Sequence, residues 1–561
     1  MQKLVIDLET TLDHKTIWCC CCEDVDTGWR ATCTTAEQFT EAAKGYDVFV
    51  GHNIIGFDAP VLAAVWGVTL PPESLCDTLI LSRLYSPSID GGHSLDAWGK
   101  RLGDHKIAFT DYDGGLTSEM IEYCIQDVAL TKRLLGWLTK TMDDEGFSDY
   151  CVELEHKVAL IVKQQEVNGF KLDIAAANTL YNDLVCRMKE IEAGLQEVFP
   201  PIVLERWSEK TGKQLKDSVT VFNPGSRQQI ADRLGTLGAV FKDKTDKGSI
   251  IVNEGTLDGI DLPEAKLVLE YLTLQKRVGL LDGWMKALSQ GDRVHGKVRT
   301  NGAVTGRMTH SSPNMAQVPS VKVGKDGKPL LGAAGAYGYE CRGVWIVDEG
   351  NVLVGADASG LELRMLAHYM DDVAYTNEVV SGDVHTANMK AAGLTDRSQA
   401  KTFIYAFLYG AGAGKMGSIV NGTAKDGQKL MTSFLEATPS LAALRERVQK
   451  EAGKGTIKGL DGRVLRVRSA HSAVNTLLQG AGAIVMKQAL VILDAKIKRN
   501  RLDALFVANV HDEWQIEAAQ WAGKAVGSAA VASIREAGEY FEMKCPLDGA
   551  YKIGLSWAET H

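Results

Sequence analysis

Val352-Leu353-Val354-Gly355-Ala356-Asp357-Ala358-Ser359-Gly360-Leu361-Glu362-Leu363-Arg364 decides the reading of this chain. A short apolar run, Val352-Leu353-Val354, ends in Gly355-Ala356 and delivers a carboxylate, Asp357. Two small residues and a glycine follow. A helical pattern then begins, with Leu361, Met365 and His368 on one side and Glu362 and Arg364 elsewhere. A buried strand that ends in an acid and turns into a helix holds that acid rigidly at a sheet edge. Many α/β proteins place an Asp there for structural reasons alone, so its meaning depends on what else the chain supplies.

At 561 residues the chain is too long for one core and predicts roughly three to five domains. Hydrophobic residues are 45% and charged residues 24%, the composition of a globular protein. The net charge of -10, from 61 Lys+Arg and 71 Asp+Glu, argues against a generally basic nucleic-acid coat. It leaves room for local basic grooves, because carboxylate metal sites themselves add acids. Eleven cysteines without framework spacing suggest a reducing compartment. Ile17 to Cys22 looks like a strand beside the first one. Its four adjacent cysteines, Cys19 to Cys22, alternate between faces, so all four cannot converge on one ion. Met1-Gln2-Lys3 leads straight into a strand, and neither a signal peptide nor a membrane span is expected.

Lys3 to Glu9 reads as a strand whose period of two puts Asp7 and Glu9 on one face. Adjacent acids repel unless a cation sits between them, and a divalent ion is the usual answer. Val48 to Asp58 reads as a strand, a loop and an acid at a helix start. Tyr123 and Asp127 lie four apart on a helical pattern and share a face. Taken singly, these acids are as readily solvated surface groups. The order Asp-x-Glu, Asn-x-x-x-Phe-Asp, Tyr-x-x-x-Asp resembles the proofreading exonucleases of the DEDD class, tyrosine subtype. The resemblance implies that Asp7, Glu9, Asp58 and Asp127 bind two divalent ions and that Tyr123 orients the attacking water. Two such ions can activate water and stabilise the leaving 3′ oxygen.

From Glu153 the pattern becomes long and helical, with a helix end at Asn168-Gly169 and a second helix over Ala175–Val198. Trp207–Val219 has no apolar period and reads as a loop; Thr245 to Gly248 reads as a turn. Leu262–Leu281 reads as two helices joined around Lys276-Arg277. Such helices with basic tips could clamp a duplex or serve as a plain scaffold. Val294 to Pro319 is either a connecting loop or a strip facing nucleic acid, with Arg307 the best-placed base-edge contact.

Asp396-Arg397-Ser398-Gln399 reads as a capping box for a helix through Leu408. Arg397, Lys401, Tyr405 and Tyr409 are spaced by four, so each step drifts about 40° and they form one slowly turning stripe. Two cations followed by two aromatics suit a nucleotide; a solvated helix with core tyrosines is the plainer alternative. Lys458, Arg463, Arg466 and Arg468 form a local basic patch able to contact phosphates. Leu505–Val510, His511-Asp512 and Glu513–Glu517 read as a hairpin that could set Asp512 opposite Asp357.

With Asp-x-Ser-x-x-Glu-x-Arg at 357–364, Arg-x-x-x-Lys and Tyr-Gly within 397–410, and His-Asp-Glu at 511–513, the chain resembles the family A DNA polymerases. Its spacings are most similar to those of the replicative enzymes of short-tailed bacteriophages. The resemblance implies an α/β multidomain chain. An RNase H-like 3′–5′ exonuclease occupies 1–150, and thumb and connecting helices occupy 151–290. Palm follows at 291–375, fingers at 376–471 and the rest of the palm at 472–561. It further implies a template-directed polymerase that replicates phage DNA with proofreading. Asp357 and Asp512 would bind two Mg2+ ions, assisted by the Ala358 carbonyl, with two more ions at the exonuclease site; Mn2+ would substitute.

In the same way Arg397, Lys401 and His385 match triphosphate contacts, with Lys401 also the proton donor to pyrophosphate. Glu362, packed near Tyr405, matches the gate against a ribose 2′-hydroxyl. Arg307, Gln479 and His511 match minor-groove readers, which can test pair geometry through acceptors common to all correct pairs. Tyr409 belongs with the DNA contacts, and Glu513 is the second acid of its motif. Implied partners are primer-template DNA, dNTPs and replisome proteins such as a helicase-primase and a single-strand binding protein, in the host cytoplasm, with no membrane. The short Pro200–Val221 stretch argues against thioredoxin, and no 5′-nuclease domain is expected ahead of Met1. A nuclease whose second half only binds DNA would not need Asp357, Lys401 and Asp512. A single-subunit RNA polymerase would not need Glu362 or the upstream acids.

Overall fold

The computed structural model describes residues 1–561 except 242, 243, 245–247, 290 and 561. It divides into two compact units: Met1–Asn168 with Lys297–Ser311 and Val354–Lys552, and Gly169–Gly296 with Ser312–Leu353 and Ile553–His561.

In the first unit, β1 (Lys3–Thr10), β2 (Ile17–Asp24), β3 (Arg30–Cys33), β4 (Val48–Gly51) and β5 (Leu75–Asp77) form one sheet in the order β3-β2-β1-β4-β5. β1 pairs antiparallel with β2 and parallel with β4. Alternation on β1 sends Leu4, Ile6 and Leu8 to one core with Phe39 and Phe49. It sends Val5 to the other, where Cys19, Cys21 and Val50 meet the buried stripe of α1 (Ser118–Glu145). Thr117 caps α1 by accepting from the Met120 N–H, and Gly146 ends it in the left-handed region at φ 76°. α2 (Asp149–Asn168) follows and stops before Gly169, as the sequence suggests.

Further along the same unit, β6 (Asn351–Ala358) leads directly into α3 (Leu361–Met370), and Arg364 folds back to donate to the Ser359 carbonyl at 2.7 Å. Next come α4 (Val384–Ala392), α5 (Arg397–Leu408) and α6 (Ala473–Arg499). β7 (Ala504–Val510), β8 (Glu513–Ala519) and β9 (Gly549–Gly554) then complete a four-stranded sheet in the order β7-β8-β6-β9. The stretch Ala470–Arg499 is apolar and long enough to cross a membrane, with a mean hydropathy of 1.5, but 78% of that window is buried inside the protein. It is a core helix, apolar all round because neighbours surround it.

The second unit holds two long helices, Ile174–Val198 and Pro263–Lys286, joined by an Arg187 fork on Glu270 at 2.8 and 3.2 Å. Its aromatic core brings together Phe170, Trp284, Trp345 and Trp557. Two expectations fail here. Trp207–Val219 is not a loop but most of a hairpin, Ile202–Trp207 against Gln214–Thr220. The first of these strands is exposed along its whole length, so backbone pairing forms it without an apolar period to read. Leu262–Leu281 is not two helices but part of one. Lys276 and Arg277 are good helix formers, and Arg277 turns out to donate to the Ala336 carbonyl at 2.9 Å. The turn read at Thr245 to Gly248 falls largely on Thr245, Asp246 and Lys247, outside the described residues.

Candidate active sites

The end of β6 leaves Asp357 exposed while its flanks, Ala356 and Ala358, are buried. Between β7 and β8 the chain reverses at His511-Asp512, with His511 in the left-handed region at φ 59°. The Ala358 N–H donates to the Asp512 carbonyl at 3.1 Å, so backbone ties the two acid-bearing ends together. Burial pushes the Asp512 carboxyl above its ordinary value, with Arg307 opposing, and burial also pushes His511 down. A cleft opens here, lined by Arg307, Leu361, Met486, Asn509, His511 and Asp512. Glu513 points into the protein instead, 5% exposed, accepting from Gln515 Nε2 at 2.6 Å. Gln479 sits half-buried on α6 and does not line this cleft.

α5 carries the predicted stripe. Asp396 accepts from the Gln399 N–H at 2.8 Å, the forward half of the expected box. Arg397 forks onto Asp383 at 2.8 and 3.0 Å, while Asp383 also caps α4. Lys401 is exposed, and no described acid pairs with it. The His385 and Tyr405 rings lie 6.3 Å apart and those of Tyr405 and Tyr409 6.4 Å apart. The sequence puts Glu362 near Tyr405, but its hydrogen bonds come from the next step of the stripe. The Tyr409 hydroxyl donates to both Glu362 oxygens at 2.9 and 2.7 Å, and Arg307 Nη2 donates at 2.9 Å. The 40° drift between steps decides which ring reaches the acid.

The expected basic patch is largely used inside the protein. Arg463 is 1% exposed and pairs with Glu155 at 2.7 Å and Asp461 at 2.6 Å. Arg466 pairs with Glu145 at 2.6 Å, and Lys458 donates to the Gly146 carbonyl; Lys458 and Arg468 stay exposed. Lys487, on α6, is not singled out by the sequence reading. It is 2% exposed, donates to Glu155 at 2.5 Å and to the Gly306 carbonyl at 2.9 Å, and so pins the backbone beside Arg307.

The N-terminal acids converge as the sequence suggests. Asp7 and Glu9 share a face of β1, Asp58 opens a helix turn after β4, and Tyr123 and Asp127 look in from α1. Glu9, Asp58 and Asp127 are 4%, 3% and 4% exposed. Burial, then the charges of Asp58 and Asp127, raises Asp7 well above the carboxylate range. Burial and Asp127 push Glu9 to about 8, and burial pushes Asp58 to about 7. Lys106, from a loop with no readable period, reaches in: it pairs with Asp127 Oδ2, donates to the Tyr123 hydroxyl at 2.7 Å and lies 4.6 Å from the ring centroid. The buried Asp127 Oδ1 has no hydrogen-bond partner. Hard oxygen donors, mutual repulsion and an orphaned buried carboxylate oxygen fit a divalent cation.

Residues 203–559 match the family described as DNA polymerase family A. The chain is similar to the DNA-directed DNA polymerase of Enterobacteria phage T3, 33% identical over 92% of each chain. It is likewise similar to that of Escherichia phage T7, 33% identical over 93% of each. Its fold resembles the POL domain of Pol1 from M. smegmatis, solved in complex with DNA primer-template and dNTP. The TM-score is 0.82 over 100% of this chain and 96% of that one, at 18% identity. The family match runs through β6, α5 and the β7–β8 turn. With two phage relatives alike over nearly their whole length, the chain belongs to DNA polymerase family A and is a DNA-directed DNA polymerase.

Proposed function

We propose that this polymerase extends a primer 3′ end by two-metal-ion phosphoryl transfer at Asp357 and Asp512, and that residues 1–150 form an RNase H-like 3′–5′ proofreading exonuclease. The observation that carries the first part is the backbone bond from Ala358 to Asp512, which sets two carboxylate-bearing turns side by side. Divalent ions, Mg2+ with Mn2+ as substitute, would be held by Asp357, Asp512 and the Ala358 carbonyl at one site and by Asp7, Glu9, Asp58 and Asp127 at the other, and there supply charge neutralisation and a polarised oxygen nucleophile.

The chain's own residues do the rest. Arg397 exchanges Asp383 for triphosphate oxygens, Lys401 and His385 stand beside it, and Lys401 carries the proton for the departing pyrophosphate. Tyr405 offers a ring face to the incoming nucleotide. Glu362, held by Tyr409 and Arg307, excludes a 2′-hydroxyl. Arg307, His511 and Gln479 test the minor-groove edge of the new pair. Glu513, buried on β8, stiffens the turn that presents Asp512. At the upstream site the Tyr123 hydroxyl orients the attacking water. Such an enzyme would copy phage DNA in the host cytoplasm, together with other replisome proteins.

Primer extension on a primed template with Mg2+, using dNTPs and then rNTPs, tests this. Extension should require dNTPs and fall to background in Asp357→Ala. Degradation of 3′ ends without nucleotides should vanish in Asp7→Ala/Glu9→Ala while extension persists. Extension surviving Asp357→Ala sinks the polymerase assignment, and degradation surviving the double variant sinks the exonuclease one.

A further inference from the structure

The four cysteines of β2 divide between its faces. Cys20 and Cys22, with Sγ atoms 3.8 Å apart, join Cys33 in one core. Cys19 and Cys21 turn to the face covered by α1, where Cys124 meets them. The Sγ atoms of Cys19, Cys21 and Cys124 all lie within 4.8 Å of one another, and the three residues are 0%, 1% and 0% exposed. Cys124 Sγ is also 3.4 Å from the Asp7 carbonyl and 3.7 Å from Asp7 Oδ2. Asp7, Glu9 and Cys124 likewise offer ligand atoms all within 4.8 Å of one another. Cys124 is therefore shared by the sulfur triangle and the neighbouring carboxylate pair, with Asp7 Oδ2 beside that corner of the triangle.

We infer that Cys19, Cys21 and Cys124 form a site for one thiophilic metal ion of the Zn2+ class, completed by a carboxylate oxygen of Asp7. Zinc–sulfur distances of about 2.3 Å place thiolates around one ion about 3.8 Å apart, so the triangle needs to close by about 1 Å at most. Soft sulfur donors select Zn2+ or Cd2+ over Mg2+ and Mn2+, which separates this site from the all-carboxylate one beside it. Binding replaces three S–H bonds with three metal–sulfur bonds and releases three protons to solvent, with no change of oxidation state. If Asp7 serves both ions, a metal at the thiols competes with the proposed exonuclease. That consequence rests on the exonuclease reading; the site itself does not.

Cd2+ titration of the reduced full-length protein, followed by the ultraviolet thiolate-to-cadmium absorption band, tests the site. In wild type and the opposite-face variant Cys20→Ala the band should saturate at one Cd2+ per chain. In Cys19→Ala/Cys21→Ala the band should be lost and Cd2+ bound at least tenfold more weakly, with primer extension retained as the check on folding. Should that variant misfold, Cys124→Ala removes the third sulfur from the helix side and must give the same loss. No band in wild type, or an unchanged band in the α1-face variants, overturns the proposal. A band that disappears as expected while Cd2+ leaves 3′ degradation untouched keeps the metal site and removes Asp7 from it.

Discussion

Glu362 is held from two directions, by the Tyr409 phenol at the C-cap of α5 and a guanidinium from the loop after Gly306. A hydrogen bond to a charged group contributes about 1.5–3 kcal/mol when buried, and less at a half-exposed site such as this. Tyr409→Phe keeps the ring and removes one anchor. We expect KM for dNTP to rise roughly 3–10-fold with kcat nearly unchanged, read by single-nucleotide incorporation; an equal fall in kcat would place the phenol in the chemical step instead. His310 supplies a pH test. It lies on the strand Thr309–Ser311, and burial, then the charge of His511, pushes it from 6.5 to about 4. A folded-state value depressed below the unfolded one contributes stability above pH 6.5 that is lost as pH falls towards 4. Relative to His310→Phe, wild type should lose up to about 2 kcal/mol between pH 7 and pH 5. Urea midpoints that shift in parallel for the two proteins would exclude this.

At the level of elements, α2 and α6 are joined by buried charge: Glu155 meets Arg463 and Lys487, with exposures of 0%, 1% and 2%. Removing one partner from such a set strands an uncompensated charge and costs about 3–5 kcal/mol. Lys487→Met should therefore destabilise by that amount in urea unfolding, and adding Glu155→Gln should recover part of it. Additive losses would show that the charges do not depend on each other. Asp396→Ala removes the α5 cap at a cost of about 1 kcal/mol. Because the cap orders the turn carrying Arg397, it should weaken dNTP binding more than primer-template binding, measured by comparing KM with the DNA Kd. The helical pattern of α1, which carries Tyr123 and Asp127, was legible in the sequence because one stripe of it is buried. The hairpin at Ile202–Trp207 was not, because a strand exposed on both faces carries no apolar alternation.

For the whole molecule, the two acid clusters lie on different sheets, so the proposed activities should separate. Asp512→Asn should abolish extension and leave 3′ degradation within about twofold, while Asp7→Ala/Glu9→Ala should do the reverse; paired primer assays at one Mg2+ concentration check both. With a net charge of -10, the proposed primer-template binding would rest on local cations such as Arg307. The primer-template Kd should accordingly weaken steeply with added salt, and a flat dependence would contradict phosphate-led binding.

The positions of the acids, the α5 stripe and the strand-turn-helix around Asp357 can be read from the chain alone, because periods of 2 and 3.6 are local and need no knowledge of any neighbour. Their partners come from tertiary packing. Glu362 takes Tyr409 rather than Tyr405, Arg463 is buried against Glu155 instead of facing phosphate, Lys106 reaches Asp127, and Cys124 closes a sulfur triangle with Cys19 and Cys21. Each depends on residues far apart in the chain and on small rotations of packed elements, and local pattern holds no information about either.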